Sequence, residues 1–217
     1  FYYILCMKTK FPLCLLTFFV LTFFSISIFG QTRERTFDAQ HYIIRSNFDR
    51  EKKMYFGDST VQVKPLKDGF TILTLDSVGM KFDSVKLEPE GTSLEYKQVG
   101  EQIAIQLGKT FSANDVVSVR FKYSSSPKKG IYFVDEVKPS EDSKGHSSQV
   151  WTQGEAEEAR HWFPSYDFPS DKATTEQVIT VPKDELAISN GELLETAENA
   201  DGTKTFHYKM PVPHSIY

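Results

Sequence analysis

The chain has 217 residues, 40% of them hydrophobic and 14% aromatic, with a formal charge of −4 and a pI near 5.8. That content supports one sizeable domain with its own core and excludes a disordered chain. The acidic balance excludes a nucleic-acid binder of the usual kind, which carries a basic face or a pI above about 9.

The first residue is Phe1, and Met7 is the expected start. Lys8 and Lys10 then form a basic n-region ahead of the apolar run Phe11 to Phe29, and Gly30 offers a small residue at a cleavage point. Residues 1–30 therefore read as upstream residues plus a secretory signal peptide, which makes the protein extracytoplasmic, secreted or periplasmic. The nineteen-residue run is longer than the usual apolar segment of about 7–15. A retained signal anchor over residues 11–29 is the alternative, and it is the one reading that brings a membrane into the account. Both cysteines, Cys6 and Cys14, fall before or inside this segment. An exported chain would have no disulfide framework and would rest on its core. Removing residues 1–30 takes away two lysines and no acid, leaving 23 basic against 29 acidic residues, a formal charge of −6.

From His41 onward, period-2 alternation bounded by Gly, Asp and Pro predicts short strands over 41–45, 59–65, 71–76, 81–87, 102–107, 116–123 and 130–134. The polar stretch 138–148 reads as an exposed loop. Order resumes at 149–152, and Ala- and Glu-rich 155–160 predicts one or two helical turns. A strand over 176–182 follows, then a turn at 189–192 and a hairpin at Asp201-Gly202 leading into 203–208. The end of the chain, 211–217, reads as the start of another strand. A strand about every dozen residues, with no long amphipathic helix between them, argues an all-β fold: an antiparallel β-sandwich or saddle with one short helical turn.

The chemistry concentrates in Gln153 to Ala173, where ionisable side chains crowd against large aromatics. Arg160, Asp167, Asp171 and Lys172 lie among Trp162, Phe163, Tyr166 and Phe168. A desolvated Arg needs carboxylate partners, so these four predict a structural brace built on bidentate Arg–Asp pairing. Gln153 and Glu155 differ. Separated only by Gly154, they can point the same way from an extended backbone, and the Gly allows close approach of another chain or ligand. A solvated polar turn, or an acid at a helix N-terminus, is the competing reading. The five histidines, at 41, 146, 161, 207 and 214, lack zinc-type spacing. No His-Glu-x-x-His, nucleophile elbow or phosphate-binding Gly loop occurs, so the sequence predicts no catalytic residue and no metal ligand within this chain.

As a whole, 153–173 resembles the N-terminal domain of zinc aminopeptidases of the aminopeptidase N type. The match extends to Lys129-Gly130-Ile131-Tyr132-Phe133, Thr180-Val181-Pro182, Ser189-Asn190-Gly191-Glu192-Leu193 and the 201–208 segment, in the family's order. Ser165, Phe168 and Thr175 depart from it, standing where many relatives carry Cys, Glu and an aromatic. The resemblance covers residues 31–217 and implies the N-terminal β domain of an exported zinc aminopeptidase that removes single residues from peptide N-termini. It implies substrate binding by Gln153 and Glu155 at the free amino end, zinc as the cofactor of the whole protein, and a catalytic domain after residue 217 on which this domain packs. The fragment alone is expected to be inactive. The alternatives from the residues themselves are a non-catalytic β-sandwich module that binds peptide or protein, and a structural β domain without ligand.

Overall fold

The computed structural model describes residues 33–217, of which 35–217 form one compact unit. The expected signal peptide of residues 1–30 and the anchor reading over 11–29 lie outside the described residues. Thirteen strands and one 3-10 turn make up the described chain.

Eight strands form the main sheet. In chain order they are β1 (Phe37–Asp49), β2 (Met54–Pro65), β4 (Met80–Glu88), β5 (Thr92–Ser93), β8 (Val117–Ser125), β11 (Ala173–Pro182), β12 (Glu192–Glu198) and β13 (Thr203–His214). Their spatial order is β12-β13-β11-β1-β2-β8-β4-β5. A second sheet of β3 (Phe70–Asp76), β7 (Gln102–Phe111) and β6 (Tyr96–Val99), ordered β3-β7-β6, supplies the opposing layer, and β9 (Ile131–Val134) pairs only with β10 (Gln149–Thr152). All pairings are antiparallel except β1 with β11, which run parallel. The all-β reading and its predicted strands stand, most of them longer than the alternation indicated. The end of the chain differs from expectation. Pro211 to His214 finish β13, with His214 opposite Ala173, instead of opening a new strand.

Why the strands face as they do follows from alternation and from where it breaks. In β1 the buried positions are Phe37, Ala39, Tyr42, Ile44 and Ser46. The phase changes between Ala39 and Tyr42 because the register with β2 shifts between Ala39 and His41. In β4 the same device operates between Phe82 and Ser84, so that Met80 precedes the shift and Val85 and Leu87 follow it, all facing inward. A bulge adds one residue to one strand and re-aims everything after it.

The core lies between the two sheets, with Val61, Val63, Leu73, Leu75, Ile103, Ile105, Val117, Val119 and Phe121 fully buried. A smaller cluster of Val181, Ala187 and Phe206 sits under β11–β13. The segment after β10 is also built into the main core. Trp162, Phe163 and Tyr166 are buried there, edge-on against Tyr55 at 6.1 Å, Tyr42 at 5.5 Å and Phe37 at 5.8 Å. The Tyr123 hydroxyl donates to the Trp162 carbonyl at 2.8 Å, and the Tyr166 N–H donates to the Tyr42 hydroxyl at 3.2 Å. Each such aromatic contributes about 2–3 kcal/mol through burial. The motif is thereby anchored to the inner face of the main sheet.

Candidate functional site

The site begins at the β9–β10 hairpin. Its ladder continues one step past Thr152, where the Gln153 N–H donates to the Gly130 carbonyl at 3.0 Å. Gly130 has φ +76°, and a Cβ there would stand 2.4 Å from the Glu158 carbonyl oxygen and 2.9 Å from Trp162 Cδ1. Only glycine accepts both the backbone angle and the contact. Next in the chain, the Gly154 N–H donates to the Tyr217 carbonyl at 3.1 Å. A Cβ on Gly154 would meet Tyr217 Cα at 2.9 Å. The close approach expected at Gly154 is thus made by the chain's own backbone at 216–217.

Residues 155–158 form a turn closed by the Glu158 N–H on the Gly154 carbonyl at 2.9 Å, and the 3-10 turn Ala159–His161 follows. The peptide bond between Glu155 and Ala156 is cis. Glu158 turns back onto the hairpin. Its Oε2 accepts the Tyr132 hydroxyl at 3.0 Å and its Oε1 lies 3.4 Å from Lys129 Nζ. Slight burial opposes its ionisation, but these two partners hold its carboxyl below the usual range.

Arg160 is the hub of the following segment. Its Nε and its backbone N–H both donate to Asp167 Oδ2, at 2.9 and 3.1 Å, while Nη1 reaches Glu101, and Nη2 reaches Glu157 and the Asp167 carbonyl. Burial works against the guanidinium's charge, yet the carboxylates around it, Asp167 first, raise its pKa further. Burial pushes the Asp167 carboxyl up against the pull of Arg160. Asp167 also donates its N–H to Asp76 Oδ2 at 2.9 Å, and Asp76 exchanges backbone hydrogen bonds with Ser165. This ties the motif to the end of β3.

The four residues expected to brace the loop therefore separate. Arg160 and Asp167 meet, through one carboxylate oxygen instead of a two-oxygen fork. Asp171 serves a different junction, accepting the Ala39 N–H at 2.9 Å and pairing with Arg35 at 2.6 Å. Lys172 is exposed and has no ion pair among the described residues. Gln153 and Glu155 are both exposed, and neither side chain has a hydrogen-bond or ion-pair partner among the described residues. Glu155 is the one carboxylate between 153 and 171 left uncommitted, since Glu157, Glu158, Asp167 and Asp171 are all engaged. From the sequence, no site role was assigned to Tyr132, Trp151 or Glu158, which the fold places beside Gln153 and Glu155. The two-residue step from Trp151 to Gln153 was the signal that linked the strand to the site.

Among the described residues no three His, Cys, Asp or Glu side chains converge as a metal site. His41, Glu176 and His207 come nearest. There Glu176 is already bonded to His207 and Lys209, at 2.9 Å each, so these side chains do not fit a zinc ion.

Comparison with known proteins bears on family and fold. The sequence model of the family described as "Peptidase M1 N-terminal domain" matches residues 38–217. Among curated proteins, the chain is 24% identical to leucine aminopeptidase 2 of Vanderwaltozyma polyspora over 84% of its own length, which is 28% of that protein. It is 32% identical to transcription initiation factor TFIID subunit 2 of Drosophila melanogaster over 59% of its length, or 10% of that protein. The fold is similar to that of part of an M1 zinc metallopeptidase from Deinococcus radiodurans, with TM-score 0.70, 22% identity and coverage of 86% of this chain and 42% of that one. A mutant of the same metallopeptidase, with TM-score 0.69, 22% identity and the same coverage, was solved bound to a Tyr-Ser-Ala substrate. The chain thus spans less than half the length of each of these proteins.

Proposed function

The chain belongs to the Peptidase M1 N-terminal domain family, and from that membership we propose that it recognises the free amino end of peptides within a zinc metallo-aminopeptidase. In this reading Glu155 pairs with the substrate's ammonium group and Gln153 lines the pocket for the first side chain. The zinc and the hydrolytic groups belong to a catalytic domain on which this domain packs. Zinc would polarise the scissile carbonyl and lower the pKa of a bound water. An ammonium paired in a closed site accounts for trimming from the end instead of internal cleavage. The observation that carries the proposal is the uncommitted carboxylate of Glu155 beside the uncommitted amide of Gln153, on backbone fixed by Gly130 and Tyr217. We take the protein to be exported, on the strength of the leader over residues 7–30.

The likeness to a protein named as a transcription initiation factor subunit supports a second reading, in which the β domain is a non-catalytic module that binds peptide or protein. Sequencing past residue 217 and assaying the whole gene product separates the two. The first reading predicts a His-Glu-x-x-His motif with a distal Glu, and release of N-terminal residues that chelators abolish and zinc restores. A gene product without that motif and without such activity leaves the binding module.

A further inference from the structure

We propose that the stacked rings of Tyr132 and Trp151 form a preset aromatic wall for the substrate's first side chain, favouring large flat apolar groups. The inference rests on the recognition role given above to Gln153 and Glu155. Alternation gives the β9–β10 hairpin two faces. Phe133 and Val150, paired across the strands, pack on the core. Tyr132 and Trp151, the next pair, point to the opposite side, their ring centroids 4.4 Å apart and their planes within 18° of parallel.

Two features make this pair a built surface. Tyr132 is held by its hydroxyl on Glu158, so its ring is fixed before any ligand arrives. Trp151 is 43% exposed although Tyr132 covers one of its faces, which leaves the other face open. Gln153 continues the extended ladder on the same side, about 7 Å further along by the two-residue repeat of a strand. The turn carrying Glu155 folds back over this side, since Glu158 at its end reaches Tyr132. The proposal thus places the substrate's ammonium on Glu155 and its first side chain on Trp151. Rigid aromatic surface of this kind binds at low conformational cost, and a flat ring gains from stacking where a methyl group does not.

The test is substrate selectivity in the full-length protein: kcat/KM for phenylalanyl and alanyl reporters in wild type, Trp151→Leu and Trp151→Phe, with thermal midpoints recorded for each. Trp151→Leu is expected to lower the phenylalanyl-to-alanyl ratio by about tenfold, and Trp151→Phe to restore most of it. A ratio unchanged in Trp151→Leu, with or without a common loss on both substrates, overturns the inference and makes the pair a staple of the hairpin. A wild-type enzyme that releases neither residue overturns the recognition reading itself, and this inference with it.

Discussion

Asp167 is 1% exposed and carries Arg160 on its carboxylate and Asp76 on its backbone N–H, so its removal strands a guanidinium that is itself largely buried. We predict that Asp167→Ala costs about 3 kcal/mol of stability, toward the lower end for a broken buried pair because Glu101 and Glu157 remain to Arg160. Urea unfolding measures it, and the double variant Asp167→Ala with Arg160→Met should recover part of the loss. At this scale the sequence showed that Arg160, Asp167 and Asp171 had to be paired, because desolvated ions among Trp162, Phe163 and Tyr166 tolerate nothing else, whereas Lys172, included in the same brace, is exposed and unpaired among the described residues. The sequence did not show with whom. Asp171 finds Arg35, 136 positions away in the chain, and Glu101 joins Arg160 from the turn between β6 and β7. Such long-range choices are made by topology and leave no local pattern.

Strand alternation was legible wherever it was unbroken, and strand length was lost where a bulge intervened. The shifts at Ala39/His41 and Phe82/Ser84 re-phase β1 and β4, which a strict period of 2 cannot represent. The parallel pairing of β1 with β11 was also hidden, since nothing in either strand names its neighbour. Gly130 joins element to site. Gly130→Ala must place a Cβ 2.4 Å from the Glu158 carbonyl at positive φ, and we predict a loss of at least about 2 kcal/mol, read as a fall in thermal midpoint.

The β1–β11–β13 junction gives a pH dependence of definite sign. Burial keeps the His41 pKa below 6.5, outweighing the pull of Glu176. The unfolded chain then takes up that proton first, and stability falls as pH drops below 6.5. Burial also opposes the Glu176 carboxylate, yet hydrogen bonds from Lys209 and His207 hold it below 4.5. Its contribution is present above 4.5 and is lost as pH falls through the lowered value. Both groups make the junction acid-labile. Thermal midpoints taken from pH 4.5 down to about 3 should fall less steeply in Glu176→Gln than in wild type; equal slopes there would mean that the Glu176 carboxylate does not contribute.

At the scale of the whole molecule, the sheets and the core anchor one loop on which the side chains of Gln153 and Glu155 have no partner among the described residues. The all-β class and the family were readable from spacing and from the run 153–173. The candidate site was readable only in part, because Gln153 and Glu155 are conspicuous by lacking partners among the described residues, and partners are a property of the fold. We propose, as above, that Glu155 binds a free α-ammonium. The most direct test of this claim is kcat/KM of the full-length wild type and Glu155→Ala on one aminoacyl reporter with its amine free and on the same reporter with the amine blocked. Loss of a buried ammonium pair is worth roughly 2–5 kcal/mol, so Glu155→Ala should reduce turnover of the free-amine reporter by about 10² or more. The blocked reporter should be a poor substrate for both enzymes, and equally so. An unchanged kcat/KM on the free amine, or the same fall on both reporters, would contradict the claim.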